Sequence, residues 1–181
     1  MPGQSLIKGF LSYSGDGIIS TSYADDYIVR GNAWSISMVT TLSASGSVSF
    51  LLTPSTAHSY FIPPIGLQAE DEKVLLKIYE DGNYSGGTPV TLINRNRNST
   101  ATFSGTLTTS SSGASKGTKI IEHAAFASSE KHSTSVNAQA GGSGALILNS
   151  NKKYYVEIEN SSTSDQTDIE YDAIIFEIGD I

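Results

Sequence analysis

The chain has 181 residues, no cysteine and a formal net charge of −7. Lack of cysteine removes disulfides, thiol catalysis and thiolate-held metal centres. The acidic balance argues against a general nucleic-acid binder and against docking on anionic lipid.

Charged residues are only 16% of the chain, so the polar surface rests on hydroxyls, 29 Ser and 16 Thr. One domain, or at most two small ones, is expected at this length. Met1-Pro2-Gly3-Gln4-Ser5 has no basic stretch before an apolar run, so no secretory signal is expected and synthesis in a cytoplasm is. No segment approaches the ~20 apolar residues of a membrane span.

Residues 1–30 are punctuated by glycine and aspartate turns. They read as an arm, or first strands, packing on a neighbour, ahead of a β-sandwich over residues 31–181. Trp34, Ile36, Met38, Thr40 and Leu42 share one face of an alternating run, with Trp34 in the core. Ser43–Gly46 reads as a hairpin loop, and Val48, Phe50 and Leu52 resume the alternation. Pro63-Pro64 marks an edge or a crossing. Ala69–Lys77 opens with acidic residues that suit a helix start, yet Val74, Leu76 and Ile78 alternate as a strand. Asp81-Gly82, Gly86-Gly87 and Gly141-Gly142 are turn dipeptides. Thr108–Lys116 and Ser128–Gly144 are poor in apolar residues and read as long loops, with a helical turn conceivable over Ala124–Lys131. Tyr154, Val156 and Ile158 alternate, and Asp168–Ile178 is apolar on both faces. Nine to eleven short strands with little helix predict an all-β antiparallel sandwich of jelly-roll kind, with long loops.

Chemistry-bearing patterns are sparse. His58, His123 and His132 lack metal-ligand spacing, and no G-x-S-x-G elbow accompanies them. Glu157 and Glu159 fall at i, i+2 on one strand face, which suits a glycosidase pair or simply a solvated face. Gly15-Asp16-Gly17, Asp25-Asp26 and Glu80–Asn83 place oxygens in loops, the minority case for calcium. No motif calls for a cofactor. Sequons at Asn83, Asn98 and Asn160 carry no weight without a secretory signal.

The one basic cluster is Asn94-Arg95-Asn96-Arg97-Asn98. Period two places Arg95 and Arg97 on one face and the asparagines on the other. Two arginine forks facing carboxylates of another subunit suit an acidic protein. The candidate interface residues are therefore Arg95, Arg97, Asn94 and Asn96, with Tyr23 and Tyr27 as exposed aromatic contacts from the first segment. Tyr84 on the Asp81–Gly87 turn is a further candidate contact tip.

From about Gly46 to Glu177 the chain resembles the small β-rich virion proteins of tailed bacteriophages described as head decoration or capsid-stabilising (cement) proteins. The resemblance is carried by Ile78-Tyr79-Glu80, Gly87-Thr88-Pro89-Val90, Asn94–Ser99, Gly141–Gly144, Leu148–Tyr154, Asn160-Ser161-Ser162 and Ile169–Glu177. Similar proteins often carry a histidine-rich stretch before the first long strand; Tyr27–Gly31 has none. The resemblance implies a non-enzymatic virion component on the capsid outer surface, without a cofactor. Its implied partners are the major capsid protein and itself, as a homotrimer, with neither nucleic acid nor membrane. A tail, baseplate or head-fibre module contacting a host receptor, and a calcium-dependent carbohydrate-binding module, are the alternative readings.

Overall fold

The computed structural model of the chain describes residues 11–14, 17–20, 23–55, 58–68, 73–126 and 146–178. The first elements are β1 (Leu11–Ser14), β2 (Gly17–Ser20), α1 (Tyr23–Arg30), β3 (Ala33–Leu42), β4 (Ser47–Thr53), β5 (His58–Gln68) and β6 (Lys73–Glu80). Five short strands follow: β7 (Asn83–Ser85), β8 (Thr88–Pro89), β9 (Ile93–Asn94), β10 (Thr106–Thr109) and β11 (Ser112–Ser115). The last are β12 (Thr118–Phe126), β13 (Leu146–Leu148), β14 (Tyr154–Asn160) and β15 (Gln166–Ile178).

Two antiparallel sheets carry the fold, ordered β13-β5-β15-β3-β9 and β12-β6-β14-β4-β10-β8. Eight strands, β3 to β6 and β12 to β15, give the connectivity of a jelly roll. Numbered along the chain, they lie 6-3-8-1 in one sheet and 5-4-7-2 in the other. The all-β sandwich expected from the alternation is therefore the architecture. Its core joins Ile36, Tyr171 and Ile175 of one sheet to Leu52, Leu76 and Ile158 of the other. Burying a large aliphatic side chain of this kind contributes roughly 1.5–3 kcal/mol.

Both outer faces are partly covered. On the six-stranded sheet, the β7–β11 ribbon lays Tyr84 flat on Tyr155, with ring centroids 4.0 Å apart and planes 8° from parallel. On the five-stranded sheet, Tyr27 and Ile28 of α1 pack on Ala33, Ile174 and Phe176. This second layer explains why β15 is apolar on both faces.

Several expectations change. Ser43–Gly46 is not a hairpin loop, because β3 and β4 belong to different sheets; it crosses between them, with Gly46 N–H bonded to Ser43 O at 2.8 Å. Thr108–Lys116 is not a bare loop, since it supplies the end of β10 and all of β11. The described residues hold fifteen strands, more than expected, because the insertion between β6 and β12 forms five short ones. Lys73–Glu80 is strand, and Ala124–Phe126 continues β12; the remainder of both helix candidates lies outside the described residues. So do the rest of Ser128–Gly144, His132, Gly141-Gly142, Gly15 and Asp16. Among the described residues the helix that forms is α1. Asp25 and Asp26 sit in its first turn and Arg30 in its last, in accord with the helix dipole. Gly31, at φ 76°, ends it: Gly31 N–H bonds Ile28 O and Asn32 N–H bonds Tyr27 O. Pro63-Pro64 falls where β5 slips against β15 and beyond the reach of β13, which is the edge position expected of it.

Candidate functional site

The asparagine–arginine run occupies the edge of the five-stranded sheet. Ile93 and Asn94 pair with Ser35 and Trp34, and Arg95 N–H donates to Ala33 O at 2.9 Å. Beyond that point the backbone leaves the ladder and is held by side chains. Asn94 Nδ2 donates to Gly31 O at 2.7 Å and to Ala101 O at 3.2 Å, while its Oδ1 accepts from Asn96 N–H at 2.9 Å. Asn96 repeats the device one step on: Nδ2 donates to Val29 O at 2.8 Å and Oδ1 accepts from Asn98 N–H at 3.0 Å. These are successive Asx turns, an amide side chain standing in for a backbone turn acceptor. The loop is thereby tied to the end of α1.

Arginine and asparagine separate only in part as period two anticipated, because the segment after Asn94 is turn and not strand. Asn94 is buried and Asn96 half-buried, whereas Arg95, Arg97 and also Asn98 are exposed. Neither guanidinium has an ion-pair partner among the described residues. Asn94 and Asn96 act as scaffold, with their polar atoms directed inward. Tyr27 is half-buried and meets Phe176 edge-on at 5.9 Å. Tyr23 opens α1, and its side chain lies outside the described residues. Gly31 and Ser99, not singled out by sequence reasoning, complete the scaffold: a Cβ on Gly31 would fall 2.2 Å from Ser99 Oγ. The helix end and the loop can meet only at glycine.

The other candidate chemistry is already neutralised. Glu157 is 3% exposed, beneath the ribbon, and Lys116 Nζ bonds both its oxygens at 2.6 and 2.7 Å. Opposing effects act on the Lys116 ammonium: burial lowers its pKa, but the bond and charge of Glu157 leave it raised overall. Glu159 is bonded by Lys77 at 2.7 Å. The i, i+2 carboxylates therefore do not form a solvated face or a free acid–base pair. Lys152 Nζ lies 2.9 Å from both Glu80 and Asp81, placing an ammonium where a calcium ion would have to bind. Among the described residues, no cluster of three or more metal-binding side chains exists. Tyr84 is no contact tip, being 5% exposed and stacked. His123 is exposed on β12, and the side chain of His58 lies outside the described residues. Asn160 cannot accept a glycan, because it is fully buried and its amide binds the carbonyls of Leu42, Ser43 and Ser164.

Comparison with family models, curated proteins and solved structures found no match to this chain.

Proposed function

We propose that the protein is a non-enzymatic virion component that decorates a phage capsid and stabilises it by bridging capsid subunits, acting as a homotrimer. The observation that supports this reading is the Arg95/Arg97 loop. Two unpaired guanidiniums are held outward by an asparagine ladder, on an acidic chain. Prior fixing of the backbone lowers the ordering cost of binding. Arginine forks suit carboxylates of a protein partner.

A clamp of this kind binds assembled shell and not loose subunits, and so stabilises the shell by mass action. The receptor-tip alternative loses its main support, since Tyr84 is buried. The calcium-dependent glycan module loses support too, since Lys152 already bridges Glu80 and Asp81.

The test is co-sedimentation with heads assembled from the major capsid protein of the same phage. Wild-type protein is expected to pellet with intact heads and raise their disassembly temperature. Arg95→Ala/Arg97→Ala is expected to weaken both effects. Wild-type protein that stays in the supernatant while heads pellet sinks the proposal.

A further inference from the structure

Among the described residues, most charged side chains are already engaged. Among the charged side chains described, all but four hold an ion pair, a hydrogen bond or another electrostatic contact. The four are Arg95, Arg97, Glu170 and Asp172, two cations and two anions, all exposed. We propose that Glu170 and Asp172 on β15 receive the Arg95/Arg97 loop of a second copy of this chain, in a head-to-tail contact.

Within one chain the two sets do not meet. Asp172 pairs with Ser37 and Glu170 with Val39 across β3, whereas Arg95 is bonded to Ala33 at the far edge of the same strand. Four residues of strand are about 13 Å, and two strand spacings add about 10 Å sideways. That separation exceeds the ~8 Å Debye length at physiological salt, so the patches do not neutralise each other in the monomer.

Their surroundings match as well as their charges. The acidic pair lies on the outer face of the five-stranded sheet, beyond the part α1 covers, beside Val39, which is 63% exposed. The basic pair lies at the sheet edge, flanked by Ile93 at 56% and Val29 at 71% exposure. Each patch thus sets charge beside apolar surface that a contact would also remove from water. A contact between an edge patch and a different, face patch is heterologous. Repeated, it closes a ring where the rotation divides a full turn and otherwise extends as a filament. A homotrimer follows if the rotation at each contact is one third of a turn.

This inference rests on reading the Arg95/Arg97 loop as an interface anchor, and not on what the assembled protein binds. The test is solution mass of the full chain by light scattering over a concentration series, at low and high salt. Wild type is expected to assemble and to loosen as salt rises. Arg95→Glu/Arg97→Glu and Glu170→Arg/Asp172→Arg are each expected to raise the dissociation constant about 100-fold or more, since like charges then face each other. Thermal unfolding of either variant alone is expected to match the wild-type monomer. Combining all four reversals is expected to restore assembly. A wild type that stays monomeric, a reversal that assembles normally, or a fourfold variant that stays apart overturns the contact. Head binding by a monomeric wild type overturns the self-contact and the trimer but leaves capsid decoration standing. Self-association without head binding overturns the virion reading alone.

Discussion

Replacing Asn94 by Ala removes the key of the arginine loop without touching either arginine. Three hydrogen bonds go: two to the carbonyls of Gly31 and Ala101, and one from Asn96 N–H. Each contributes about 1 kcal/mol net, and an unmet buried partner costs more. Water can reach part of this edge, so a total of about 2–3 kcal/mol is expected. For a chain of this size, 1 kcal/mol shifts the melting temperature by about 2–4 °C, so a fall of about 5–10 °C should follow. Asn94→Asp keeps the acceptor for Asn96 N–H but sets a carboxylate against two carbonyl oxygens; it should fall as far. Calorimetry gives the shift, and a urea titration with unchanged slope shows a change in stability and not in the surface exposed on unfolding. A fall below about 2 °C for both variants would mean that the asparagine ladder does not hold the loop, and the argument for a preformed anchor fails with it.

The remaining predictions concern charge and burial. At concentrations where the wild type is dissociated, Arg95→Ala/Arg97→Ala should leave the melting temperature within about 1–2 °C of it, because exposed unpaired side chains change the stability of the single chain by less than about 0.5 kcal/mol. Lys116→Ala should cost about 1–3 kcal/mol by urea titration, the usual penalty for stranding a buried carboxylate reduced because Lys116 is half exposed; Glu157→Gln in that background should recover part of it. Burial holds the hydroxyls of Tyr84, Tyr154 and Tyr171 above the ordinary tyrosine range. The unfolded chain therefore gives up these protons first as pH rises, so stability present below about pH 10 is lost above it, at about 1.4 kcal/mol per group per pH unit. Phenolate absorbance should then rise together with unfolding, and smooth titration of all tyrosines in a folded protein contradicts the burial described. Millimolar calcium should leave the melting temperature unchanged, because Lys152 occupies the Glu80–Asp81 pair; a clear rise would show that the ammonium is displaced.

Legibility in the sequence followed the range of the interactions. Alternation in Trp34–Leu42, Val48–Leu52, Val74–Ile78 and Tyr154–Ile158 is local, and each run became a strand with the expected face in the core. In Asn94–Asn98 the division was legible only in part: Asn94 and Asn96 turn inward and both arginines outward, but Asn98 is exposed, because the segment is a turn held by side-chain hydrogen bonds and not a strand. The helix α1 was missed although its signals were present: Asp25 and Asp26 at one end, Arg30 and Gly31 at the other. Among its described side chains the apolar stripe is Tyr27 and Ile28, too short to outweigh an arm of turn residues.

What was illegible depended on contacts between distant positions. Glu157 looks the same in sequence whether wet or buried, and only the arrival of Lys116 and Tyr84 from the insertion settles it. Tyr84 likewise reads as an exposed tip until the ribbon folds it onto Tyr155. By itself the sequence determined the strand class, the core faces and a basic loop on an acidic chain, because period-two burial and charge are properties of neighbouring residues. Only the tertiary structure decided the jelly-roll order, which carboxylates are neutralised, and which of the described charges are left without a contact. Ion pairing acts over a few ångströms in space, and chain separation does not encode it.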